Sequence, residues 1–145
     1  MAVMTEKENL ETVRKAYDAF GRGDLDVLLE LLAEDVEWVT PRVEDIPYSG
    51  NCRGRAQVGE FFRALTEAED VLSMRQDDFL VTGSLVAVRG RMRTRVRATG
   101  RTVETPYAHF FSVVDGRIQE FQEFYDTAAV GEAFRTGETA GAGAS

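Results

Sequence analysis

Tyr107-Ala108-His109-Phe110-Phe111-Ser112-Val113-Val114-Asp115-Gly116-Arg117-Ile118-Gln119-Glu120-Phe121-Gln122-Glu123-Phe124-Tyr125 is the stretch on which the fold turns. Asp-Gly stands between two runs rich in β-branched and aromatic residues. That pair suits a two-residue hairpin turn, whose central positions need positive φ. A hairpin closed there sets Val114 opposite Arg117 and, by simple counting, Ala108 opposite Glu123. Alternation then puts Ala108, Phe110, Ser112, Gln119, Phe121, Glu123 and Tyr125 on one face. Tyr107, His109, Phe111, Val113, Ile118, Glu120, Gln122 and Phe124 fall on the other. The first set suits a cavity wall with one carboxylate among aromatics, a setting fit for proton transfer. The second set suits a partner surface, and a homodimer is expected from it.

Outward from the hairpin, Thr82-Gly83-Ser84 and Thr99-Gly100 punctuate a run of antiparallel strands that begins at Val71. Arg89, Arg91, Arg93, Arg95 and Arg97 recur at every second residue there. They read as a solvated face paired with acids such as Glu104 and Glu120. The amino-terminal half has the helical period instead. Leu10, Val13, Tyr17 and Phe20 make one stripe, and Asp24 caps a second helix carrying Leu25, Leu28, Leu29 and Leu32. Val36, Trp38 and Thr40 start a short strand, and residues 41–53 read as a loop. Val58, Phe61, Phe62 and Leu65 mark a third helix from Gly54 to Glu67. A last short helix, capped by Thr127, holds Val130 and Phe134.

This order predicts an α+β cone: three N-terminal helices packed on a curved antiparallel sheet that encloses a pocket. Residues 1–135 form the expected single domain, and 136–145, built mostly from Gly, Ala and Thr, a disordered tail.

Composition excludes several functions. The chain has 145 residues, 17 basic and 25 acidic, for a net charge of −8. That balance disfavours nucleic acid and anionic membranes as partners. The longest apolar run, Leu85–Val88, is far too short for a membrane span. Residues 1–9 lack the basic and apolar regions of a signal peptide, so a cytoplasmic location is expected. Cys52 and His109 are the single cysteine and histidine, so one chain has no disulfide and no Cys/His zinc site. Neither a metal nor an organic cofactor is expected.

Gly23-Asp24-Leu25-Asp26, followed by Leu31-Leu32-Ala33-Glu34-Asp35-Val36-Glu37-Trp38, resembles the start of the nuclear transport factor 2-like superfamily, its SnoaL-like group most of all. Tyr48-Ser49-Gly50, Gly54-Arg55 before Phe61-Phe62, His109-Phe110-Phe111, Asp115-Gly116-Arg117-Ile118 and Tyr125-Asp126 extend the resemblance over about residues 8–135. It implies the same cone, often dimeric through its sheet. It does not imply one activity, since this fold carries isomerases, cyclases, hydrolases and non-catalytic proteins. The positions matching the ketosteroid isomerase site hold Ala16, Thr40 and Ala108, none able to do that chemistry. Of the limonene-epoxide-hydrolase set, Glu123 matches an acid, while Met92, Trp38 and Thr40 replace the other groups. Polyketide cyclases match best: they use an acid in the last strand and a His fourteen residues earlier, here Glu123 and His109.

Simple alternation and the resemblance disagree about His109, which alternation turns away from Glu123. Glu123 is therefore the first catalytic candidate and His109 the second. Tyr17, Trp38, Tyr48, Phe61, Met92, Ala108, Phe110, Phe121 and Tyr125 are the expected substrate-binding residues. The expected function is binding of a small, largely apolar organic molecule, with cofactor-independent acid–base catalysis of the polyketide cyclase or isomerase type. The alternatives are a non-catalytic binding protein on the same scaffold and an epoxide-hydrolase-like enzyme.

Overall fold

Thr5 opens the first helix, α1 (Glu6–Gly21), with a capping box: its hydroxyl accepts from the Glu8 N–H, and the Glu8 carboxylate accepts from the Thr5 N–H. Asp24 likewise accepts from the Val27 N–H and starts α2 (Leu25–Glu30). These elements belong to a computed structural model that describes residues 4–135; the expected tail at 136–145 lies outside the described residues. The chain continues through β1 (Leu32–Val39), β2 (Asn51–Arg53), α3 (Gly54–Ala68), β3 (Glu69–Thr82), β4 (Leu85–Val96), β5 (Thr102–Val114), β6 (Arg117–Tyr125) and α4 (Thr127–Phe134). The cap of α4 is Asp126, which accepts from the Ala129 N–H, and not Thr127, the first helical residue.

The architecture is α+β, with a curved, unclosed six-stranded sheet in the order β2-β1-β6-β5-β4-β3. Helical stripes cover its concave face. Val13, Ala16 and Ala19 of α1 and Val58, Phe61 and Phe62 of α3 share one core with Val86, Val88, Phe111 and Phe121 of the sheet. Each such large side chain taken from water contributes about 1.5–3 kcal/mol before entropy is counted. The expectation of an all-antiparallel sheet is corrected at one joint. β1 pairs parallel to β6, with Trp38 beside Phe121. Element order alone does not show this pairing, because the connection runs through α3 and four strands. Leu32, expected on the helical stripe of α2, is instead the fully buried first residue of β1.

The last hairpin closes as its residues require, with Asp115 and Gly116 at φ 51° and 78°. Val114 faces Arg117 and Val113 faces Ile118, but the next pair is Ser112 with Glu120. Gln119 is thus an extra residue, a β-bulge. Beyond it the register is shifted by one, and Phe111 faces Phe121, His109 faces Glu123 and Tyr107 faces Tyr125. The cause lies in packing. Ile118 and Phe121 stand three apart and are 0% and 4% exposed, which period-two alternation cannot give without an added residue.

The face assignment made by counting is therefore corrected for β5. Ala108 and Phe110 point to the outer face and cannot line the pocket. Tyr107, His109, Phe111 and Val113 point inward and are buried. With Ile118 also inside, only Phe124 of the apolar residues expected on the partner surface is outside.

The arginine ladder of β4 faces solvent as read. Arg89 pairs with Asp78 at 2.7 Å, Arg91 with Glu104 at 3.0 Å and Arg97 with Asp70 at 2.7 Å. Two of these acids come from β3, and Glu120 takes no part among the pairs found. Between Arg89 and Arg91, Gly90 permits a close approach. A Cβ there would meet the Arg75 carbonyl oxygen at 1.9 Å and the Tyr107 hydroxyl at 2.6 Å. The Tyr107 hydroxyl donates to that same carbonyl at 2.8 Å.

Candidate functional site

The register beyond the bulge builds the site. β6 projects Phe121, Glu123 and Tyr125 inward, and β5 projects Tyr107, His109 and Phe111 beside them. α1 lays Tyr17 across this row. The Tyr17 hydroxyl lies 2.6 Å from Nδ1 of His109, and Nε2 of His109 lies 2.8 Å from Oε2 of Glu123. One placement of protons satisfies all three groups: Tyr17 O–H donates to Nδ1, and Nε2–H donates to the carboxylate. His109 is 3% exposed. It is stacked on Tyr107, with ring centroids 4.2 Å apart, and meets Phe121 edge-on at 4.9 Å. The imidazole is thus fixed by both hydrogen bonds and both rings. Burial, with the acidic groups of Tyr107 and Glu123 nearby, pushes the Tyr17 pKa up, so its hydroxyl keeps its proton.

Tyr17, His109 and Glu123 form one wall of a pocket of about 70 Å³. Its other walls are apolar: Ala16, Phe20 and Leu28 from the first two helices, Trp38 from β1, Phe61, Phe62 and Leu65 from α3, and Met74, Phe111 and Phe121 from the sheet. Trp38 stacks on Phe121 with centroids 3.9 Å apart, and its buried Nε1 has no hydrogen-bond partner. A wider groove of about 1050 Å³ runs along α1 and the first half of β3, and shares Tyr17, Phe20 and Met74 with the pocket.

Of the residues expected from sequence, Glu123, His109, Tyr17, Trp38, Phe61 and Phe121 meet at the pocket. Tyr48, Met92 and Tyr125 pack against the same core around it. Ala108 and Phe110 do not take part. Phe62 and Leu65 were visible on the α3 stripe but not distinguishable there from plain core. Phe111, Met74 and Tyr107 are not marked as site residues by the sequence, the first and last because simple alternation, without the bulge, turns them to the other face. Glu69 was missed entirely. It is buried at the head of β3 and accepts a hydrogen bond from Tyr48, and nothing in its acidic neighbourhood marks it out. Cys52 is half-buried and pairs with Trp38 across β1–β2. Burial raises its thiol pKa, which makes it a poor nucleophile. Among the described residues no group of three or more His, Cys, Asp and Glu side chains is placed to hold a metal ion, and no helix is long and apolar enough to cross a membrane.

Helices closing a curved sheet over a pocket, with acid and histidine on its last two strands, define a class. The model of the SnoaL-like domain matches residues 13–121, and the chain belongs to that family. An uncharacterized protein of Mycobacterium tuberculosis (strain ATCC 25618 / H37Rv) is 31% identical over 134 residues, which cover 90% of this chain and 98% of that protein. The crystal structure of an NTF2-like protein from Burkholderia xenovorans LB400 is similar with a TM-score of 0.83 and 30% identity, over 91% of this chain and 99% of that one. A structure from Mesorhizobium loti described as a SnoaL-like polyketide cyclase has the same fold, with a TM-score of 0.68 and 20% identity over 84% of this chain and all (100%) of that one.

Proposed function

We propose that the chain is an acid–base enzyme of the polyketide cyclase or isomerase type, acting on a small, largely apolar organic molecule without metal or organic cofactor. One observation carries this reading: a carboxylate, an imidazole and a phenol stand in a single hydrogen-bonded line on the wall of an otherwise apolar pocket. Buried polar groups are costly in a plain core, and a row of three that opens on a cavity is the arrangement expected of proton transfer. Glu123 takes or returns the substrate proton. His109 orients the carboxylate and disperses its charge, and Tyr17 holds the far side of the ring. Trp38, Phe61 and Phe121 hold the apolar body of the substrate, and the free indole N–H of Trp38 meets a substrate oxygen. Tyr48, Met92 and Tyr125 complete the shell. A homodimer built through the outer face of the sheet belongs to the same proposal.

The test needs no knowledge of the natural substrate. Cyclic and aryl ketones are incubated with the protein in D₂O, and deuterium entry beside the carbonyl is followed by proton NMR. The wild-type chain accelerates exchange of at least one compound. Glu123→Gln lowers that rate about 100-fold or more, the weight of one general acid–base group, while the melting temperature holds. Normal exchange by the variant would remove Glu123 from the role. A wild-type chain that binds but never exchanges would leave the non-catalytic binding reading.

A further inference from the structure

The pocket of about 70 Å³ is on the scale of one small ring, since a single enclosed water needs about 10–15 Å³. Sites for drug-sized ligands run to about 300–1,000 Å³, and the groove beside the pocket, at about 1050 Å³, reaches that scale. Tyr17, Phe20 and Met74 are walls of both, so one molecule can lie across the two. Leu72, 46% exposed, borders the groove with Met74 and Phe79. An alkyl or aryl chain laid along these side chains takes their surface out of water.

Three arginines line the groove, and two of them already hold acids. Arg22 pairs with Asp18 and reaches Asp24 at 3.8 Å, and Arg97 pairs with Asp70 at 2.7 Å. The remaining acid of the groove, Glu69, is buried and has the Tyr48 hydroxyl as donor. Arg14 is exposed, and among the described residues it takes no acid and donates no hydrogen bond. Its guanidinium instead lies over the Phe79 ring, 4.4 Å from the centroid. Stacking of this kind fixes the plane of the guanidinium and leaves its N–H edge free. Phe79 meets Tyr17 edge-on, with centroids 6.2 Å apart, and Arg14 stands three residues before Tyr17 on the same face of α1. From Arg14 a line thus runs through Phe79 and Tyr17 to His109, whose Nδ1 is 2.6 Å from the Tyr17 hydroxyl.

We propose that the groove is a second binding subsite, and that its ligand is an elongated, mostly apolar molecule ending in one carboxylate, which Arg14 holds while the other end enters the pocket. This rests on the reading of the pocket as a receptor for a small apolar group, and it holds whether the ligand is turned over or only bound. The guanidinium edge offers two parallel N–H groups that match the two oxygens of a carboxylate. One open cation suits one negative charge. A phosphate dianion would set its second charge against Asp18 and Asp70, whose arginines are already engaged. With a net charge of −8 the molecule as a whole repels anions. A preference for a carboxylate over its neutral amide therefore has to come from a local cation.

Trp38 is the single tryptophan, and its indole N–H stands in the pocket wall without a partner. Its one indole signal in a proton–nitrogen NMR spectrum therefore reports entry into the pocket. Three probes of equal length are titrated at low salt: ω-phenylhexanoate, its primary amide and ω-phenylhexylammonium. The acid binds about fivefold tighter than the amide, the scale of one exposed charge pair, and the difference shrinks with added salt. Arg14→Met keeps an apolar stem over Phe79 and removes the charge, so acid and amide bind alike, with the amide as tight as in the wild type. Arg14→Lys keeps part of the preference, having the charge without the planar fork. Acid and amide binding alike in the wild type, or a preference that survives in Arg14→Met, overturns the carboxylate subsite and leaves the pocket reading standing. Tightest binding by the ammonium also overturns it and gives the groove to a cation. A wild-type chain whose indole signal none of the three probes moves overturns the pocket reading and the subsite with it.

Discussion

His109 is held by a partner on each ring nitrogen and an aromatic ring on two sides, while its whole surface is out of water. A histidine so fixed has one orientation and one sensible tautomer, which is what a proton carrier requires and a merely packed side chain does not. Glu69 has the opposite character, since no Lys or Arg forms an ion pair with it among the described residues. Its folded pKa is raised above that of the unfolded chain. Above the unfolded value the native state therefore holds the proton that the unfolded chain releases, and the stability contributed is lost as pH rises through the folded value. Glu69→Gln has no such dependence. In melting experiments across pH, the variant matches the wild type at acid pH and becomes the more stable of the two on the alkaline side. A difference that stays flat with pH would show that burial does not shift Glu69. The two carboxyls also differ in legibility. Glu123 could be read from the hairpin, because it lies an even number of residues from Phe121 and Tyr125, and these three share a face whatever happens nearer the turn. Glu69 follows Glu67 and precedes Asp70, and a charged residue in such company reads as solvated surface. Only the curvature of the sheet, with Tyr48 of a loop laid over it, takes Glu69 out of water.

One residue in β6 decides what the hairpin presents. Gln119 occupies the bulge and donates from its side-chain amide to Asp35 of β1 at 3.0 Å. Elements were legible wherever the signal was local: the capping box of α1, the Asp24 cap of α2, the stripe of α3 and the Asp115-Gly116 turn all lie within a few residues of what they control. The bulge and the parallel pairing of β1 with β6 were not, because each is settled by packing between distant segments. The burial of Ile118 and Phe121 on the same side was the available hint, since both are large and apolar and three apart. Deletion of Gln119 restores simple counting and forces a choice between burying Ile118 and burying Phe121, Glu123 and Tyr125. Either choice exposes core side chains, at a cost of about 4 kcal/mol or more. The deleted chain is expected to lose its cooperative thermal transition. Gln119→Ala keeps the extra residue, loses only the bond to Asp35, and is expected to melt within a few degrees of the wild type. Equal melting of the deleted chain and the wild type would show that the bulge does not set the register.

At the scale of the molecule the bulge has a second effect, because what it turns inward it removes from the surface. The outer face of the sheet keeps Phe110 and Phe124, 37% and 49% exposed and packed edge-on at 6.0 Å. Leu80, 68% exposed, lies in the row that runs through Ala87 to Phe110. Together they make an apolar patch that runs across the face from β6 and β5 to the edge strand β3. Beside it, Arg89 with Asp78 and Arg91 with Glu104 cancel one another's charge. Arg93 and Arg95, further along β4, take no acid among the ion pairs of the described residues, while the pairs beside the patch are neutral. What suits it is a surface equally apolar and equally neutral, and a second copy related by a two-fold axis presents that by construction. Rows of paired charges on both sides of the axis can then exchange partners without leaving any ion buried alone. Sedimentation at micromolar concentration is expected to give a species of twice the 16.1 kDa chain mass. Phe110→Glu combined with Phe124→Glu sets like charges against each other across the axis, and is expected to give the single-chain mass with the pocket intact. A wild-type chain that sediments at 16.1 kDa would refute the dimer. A double variant that stays dimeric would move the interface elsewhere, for which the exposed edge of β3 is the available alternative.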